Sequence, residues 1–61
     1  MNLIENIAEE AERLGMTIYE TEKKAGLSRG CIYKWNKHIP SVDKVKRVAD
    51  ELGVPVDKLL E

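Results

Sequence analysis

Between residues 23 and 47 the chain carries Lys23, Lys24, Arg29, Lys34, Lys37, Lys44, Lys46 and Arg47 against Asp43 alone, a net charge of +7. Residues 1–22 hold six acids and one base, net −5, and residues 48–61 hold four acids and one base, net −3. The overall charge of −1 therefore conceals a basic segment between two acidic ones. That division fits a surface that meets a polyanion while the rest of the molecule is repelled from it. A merely solvated charge run is the plainer alternative. Within the basic segment Arg29, Tyr33, Lys34 and Lys37 fall three and four residues apart, a spacing that gathers them on one face of a helix.

Other chemistry is poorly provided for. Cys31 is the single cysteine and His38 the single histidine, so neither an intrachain disulfide nor a Cys/His metal site is expected, and no cofactor is implied. His38 has no spacing relation to a serine or cysteine nucleophile, and no glycine-rich phosphate loop occurs, so an enzyme is not expected. Sixty-one residues, 34% charged and 43% hydrophobic, suit one small domain spanning 1–61 and leave no room for a cleft between domains. Glu5, Glu9, Glu10 and Glu12 speak against a signal peptide, and no apolar run reaches membrane-spanning length. A cytoplasmic protein with no membrane partner is expected.

The elements that must position the basic face are short helices. Leu3, Ile4, Ile7, Ala8, Ala11 and Leu14 trace a first amphipathic helix, with Asn2 as its cap and Gly15 as its stop. Thr17 followed by Glu20 has capping-box spacing and opens a second helix that runs to about Ala25, where Gly26 and Leu27 stop it. Ser28 is placed as the cap of a third helix, with Gly30 near its start, Cys31, Ile32 and Trp35 inward, and the basic face outward. After Pro40 and Ser41, the residues Val42, Val45, Val48, Ala49 and Leu52 trace a fourth helix to Gly53. Pro55 opens a short fifth helix with Val56, Leu59 and Leu60. The expected fold is all-α, a compact bundle of five short helices without repeats or alternating strands.

The segment TIYETEKKAGLSRGCIYKWNK over residues 17–37, with the later Pro-Ser helix start and the ending ADELGVPVDKLL, resembles the phage repressor and Cro type (XRE family) of helix-turn-helix domains over nearly the whole chain. The resemblance implies a lambda repressor-like fold, and a bacterial or phage transcriptional regulator, expected to be a repressor, whose third helix enters the major groove of double-stranded DNA. It further implies a homodimer, at least on DNA, reading an inverted-repeat operator. Arg29, Gly30, Tyr33 and Lys34 are then assigned to the bases, with the Arg29 guanidinium suited to guanine O6 and N7. Thr17, Ser28, Asn36, Lys37, His38 and Lys44 are assigned to phosphates, while Lys46 and Arg47 are left facing solvent. Four positions depart from the family's habit. Ile18 replaces a phosphate-reaching glutamine, and His38 replaces a loop glycine. Thr21 stands where a large apolar residue is usual and Glu22 where a small one is, so loose packing, or a Glu22 laid along the surface, is expected. Two other classes stay open: a protein-interaction module on the same scaffold, which would want an apolar centre to its face, and an antitoxin-type regulator binding both DNA and protein.

Overall fold

Leu3, Ile7 and Ala11, four residues apart, form the buried edge of the first helix, α1 (Leu3–Arg13), in a computed structural model that describes residues 3–61. The predicted cap, Asn2, lies outside the described residues. Arg13 closes α1 in a 2.8 Å ion pair with Glu10. The chain then turns through Gly15, and the Met16 N–H donates back to the Ala11 carbonyl at 2.8 Å. Leu14, predicted on the apolar stripe, is 46% exposed because it lies past the helix end, where this turn swings it away.

The second helix, α2 (Ile18–Lys24), begins at the predicted capping box: Thr17 Oγ1 accepts the Glu20 N–H at 3.1 Å, and Glu20 Oε1 accepts the Thr17 N–H at 3.0 Å. It ends at Ala25, and Gly26 at φ +76° lets the Leu27 N–H return to the Glu22 carbonyl at 2.9 Å. A residue with a Cβ would adopt that left-handed turn only with strain. Thr21 and Glu22 overturn the expectation of loose packing or a surface glutamate, being 0% and 2% exposed. Thr21 is tolerated inside because its hydroxyl donates to the Thr17 carbonyl at 3.0 Å.

The third element is not the α-helix predicted from Ser28. Residues 29–31 are turns, and a 3₁₀ helix covers Ile32–Asn36. Its cap position is Cys31, without a side-chain cap, so Ser28 does not serve as the predicted N-cap; its carbonyl accepts the Cys31 N–H at 3.1 Å instead. Gly30 sits in the turn at φ +83°, not inside a helix. Ile32 is fully buried. Trp35 and Cys31, predicted as core, are only partly buried, Trp35 packing against the core while also lining a groove at the surface.

Ser41 caps the next helix, α3 (Val42–Leu52), accepting the Lys44 N–H at 3.4 Å, and Val45, Val48, Ala49 and Leu52 point inward. Val42, predicted on that stripe, is 75% exposed, since the core ends one turn short of it and it faces the groove. The last helix, α4 (Val56–Leu59), follows Pro55 and buries Leu59 completely, leaving Leu60 at the rim. Asn6 Nδ2 donates to the Leu59 carbonyl at 2.8 Å, tying α1 to α4. α1 packs against the 3₁₀ helix and against α2, α3 and α4, so it is the element around which the others assemble. The described residues contain these four α-helices and the 3₁₀ helix and no strand, and none of the helices is long and apolar enough to cross a membrane.

Candidate nucleic-acid interface

The helix-turn-helix unit is α2, the turn over residues 25–31 and the 3₁₀ helix, and Glu22 joins its two halves. From the last turn of α2 its Oε1 accepts the Gly30 N–H and its Oε2 the Ile32 N–H, both at 2.9 Å. In an α-helix begun at Ser28, the Ile32 N–H would donate to the Ser28 carbonyl four residues back. Here Glu22 takes that proton, Ser28 receives Cys31, and Cys31 in turn receives Lys34 at 3.1 Å, the three-residue pattern of 3₁₀ winding. A carboxylate this buried is costly unless its oxygens are hydrogen-bonded, and both are.

The winding rearranges the predicted basic face. With three residues per turn, side chains three apart eclipse and those four apart diverge by about 120°. Ile32 and Trp35 thus form the inward ridge, Tyr33 with Asn36 a second, and Lys34 with Lys37 a third. Arg29 lies in the preceding turn, outside the helix. The four residues predicted to share one α-helical face are therefore spread over a turn and two exposed ridges.

Arg29 has an unpredicted partner. Its guanidinium carbon lies 4.7 Å from the centre of the Tyr19 ring, a cation–π contact from the turn back to α2. Nothing in the local pattern joins residues ten apart on different elements, and the bonds from Glu22 to Gly30 and Ile32 escaped the sequence reading for the same reason. Tyr33 is 60% exposed, and Ser28, Lys34, Asn36, Lys37, His38 and Lys44 are exposed as well. Gly30 contributes backbone alone, with its N–H already given to Glu22. Thr17 is exposed, but its hydroxyl is engaged with Glu20. Of the remaining bases, Lys46 pairs with Asp50 at 3.1 Å and Arg47 with Asp43 at 3.5 Å, muting their charge, whereas Lys34, Lys37 and Lys44 have no acidic partner among the described residues.

This stretch offers outward donors of several kinds: a guanidinium, a phenol, ammonium groups and an amide. Beside it opens an apolar groove of about 470 Å³ lined by Trp35, Ile39, Pro40, Val42, Val56 and Leu60. Among the described residues no cluster of three acidic, histidine or cysteine side chains could hold a metal.

No curated protein matches the chain. The HTH_3 helix-turn-helix family model matches residues 7–59, a span that takes in most of α1 and the whole of every later element. A turn pinned between α2 and a short exposed helix, together with that match over most of the sequence, places the chain in the XRE family of Cro/C1-type helix-turn-helix proteins, which are DNA-binding regulators.

Proposed function

We propose that this protein is a sequence-specific repressor that lays its 3₁₀ helix and the preceding turn into the major groove of double-stranded DNA. The observation that carries the reading is the set of exposed side chains Arg29, Tyr33, Lys34, Asn36, Lys37 and His38 around the inward ridge of Ile32 and Trp35, whose lysines lack acidic partners among the described residues. Arg29, Tyr33 and Lys34 meet the bases, the Arg29 fork binding guanine O6 and N7, and Gly30, with no side chain and its N–H held by Glu22, lets the backbone approach them closely. Ser28, Asn36, Lys37, His38 and Lys44 take phosphates, and Thr17 adds a contact at the start of α2 when its hydroxyl proton turns from Glu20 Oε1 to a phosphate oxygen.

Two copies bind an inverted repeat with half-sites about one helical turn apart. Leu59 is spent inside its own core, so pairing must draw on Leu60, Val56 and the groove, where Ile39 is 97% exposed. The same groove favours a second reading, an adaptor or antitoxin-type protein that docks a partner there.

Selection of bound sequences from a random duplex pool tests the proposal. Enrichment of an inverted repeat, bound with two copies in sedimentation, supports it. If each copy neutralises about four phosphates, log affinity falls against log salt with a slope of about −7. A pool that stays random, or a flat salt response, refutes DNA reading and leaves the groove as the functional surface.

A further inference from the structure

The segment that precedes the exposed helix is held at three points by one residue. The Glu22 carbonyl accepts the Leu27 N–H, Oε1 accepts Gly30 and Oε2 accepts Ile32, each at 2.9 Å. The side chain is 2% exposed, so water does not compete for these bonds. We propose that Glu22 is a positioning residue for DNA recognition: its two carboxylate oxygens fix where the third helix begins and how it is wound, and so which side chains it presents. The proposal rests on the reading of that helix as the DNA-reading element.

The chemistry is specific to a carboxylate. Two backbone N–H groups converge on the site, and an ionised carboxylate is acceptor-only, with one oxygen for each. Glutamine has the same length and shape but sets an NH₂ against one of the two N–H groups, orphaning a buried donor. Without the clamp on Ile32, its N–H is free to seek the Ser28 carbonyl, which favours α winding and rotates Tyr33, Lys34 and Lys37 relative to Arg29. Thr21 is the internal control. It is buried on the same helix and hydrogen-bonded, but its hydroxyl serves the Thr17 carbonyl one turn back rather than an amide of the third helix.

The experiment compares wild type, Glu22→Gln and Thr21→Val by amide NMR, hydrogen exchange and binding to the site selected from the random pool. In the wild type, the Gly30 and Ile32 amides should be as protected as those in the middle of α3. In Glu22→Gln, amide shifts should change over residues 28–38 while those of α1 and α3 hold, and affinity should fall at least tenfold. Thr21→Val should lower thermal stability without changing affinity by more than twofold. Rapid exchange of both amides in the wild type overturns the proposal, and that measurement stands even if Glu22→Gln does not fold. Wild-type affinity in a folded Glu22→Gln also overturns it. Failure of the wild type to bind any duplex refutes the underlying DNA reading instead, and the exchange data still judge the clamp.

Discussion

Gly30→Ala should lower the thermal unfolding midpoint by about 8 °C. At φ +83° an L-residue pays about 1–2 kcal/mol for crowding between its own Cβ and backbone. No atom beyond the chain neighbours lies within 4 Å of the Cβ position, so no clash with the rest of the protein adds to this. Alanine also stiffens the unfolded chain, which returns about 0.4–1 kcal/mol, leaving a net loss of about 1 kcal/mol. At about 2.1 cal/mol/K per residue, 61 residues give an unfolding entropy of about 0.13 kcal/mol/K, hence the 8 °C. Thermal scans by far-UV circular dichroism read it directly, and Gly30→Asn should lose less, because asparagine enters the left-handed region more readily. A glycine inside a regular helix behaves oppositely: alanine there stabilises by about 1 kcal/mol. A rise in midpoint would therefore refute both the turn at residues 29–31 and the account of why the third helix starts late.

Arg29→Ala should remove about 1–3 kcal/mol of discrimination at a single base pair while hardly weakening binding to a site altered at that pair. Lys37→Ala should instead weaken all sequences alike and make the salt slope shallower by about 1; both are read from binding isotherms on cognate and single-base variant duplexes at two salt concentrations. Tyr19→Ala should release Arg29 from its ring contact and cost about 0.5–1 kcal/mol in cognate affinity, and should have no effect in an Arg29→Ala background. Equal losses in both backgrounds would show that Tyr19 acts independently of Arg29.

What the sequence made legible was whatever is encoded within one turn of chain. The Thr17–Glu20 capping box joins residues three apart, and the stripe of Val45, Val48, Ala49 and Leu52 follows from helical period alone. Both stand as read. The start of the third helix was not legible because it is decided by a side chain eight and ten residues away. Local propensity favours Ser28 as a cap, and the Glu22 carboxylate overrides it by taking the Ile32 N–H. Leu14 and Val42 failed in another way: each continues its helical period correctly but lies beyond the point where the neighbouring elements cover it. In the candidate site, the identities of the exposed residues were readable, whereas their grouping depended on winding, which periodicity assumed rather than revealed.

The bond from Asn6 to the Leu59 carbonyl spans 53 positions of the sequence. Among the described residues, the hydrogen bonds of the turns and caps close within a turn or two and the Glu22 bonds within ten residues, so most of the chain can organise quickly from local pieces. Closing a loop of 53 residues costs about 3.5 kcal/mol in its length-dependent part. Ile7 and Leu59, both fully buried, repay that only once both ends have come together. During synthesis from the N-terminus, α1 is therefore made before α2, the 3₁₀ helix, α3 and α4 and is finished only with the last of them, since its apolar edge waits for Leu59. Substitutions at Asn6 or Leu59 should accordingly speed unfolding more than they slow folding, and measured folding and unfolding rates would show it.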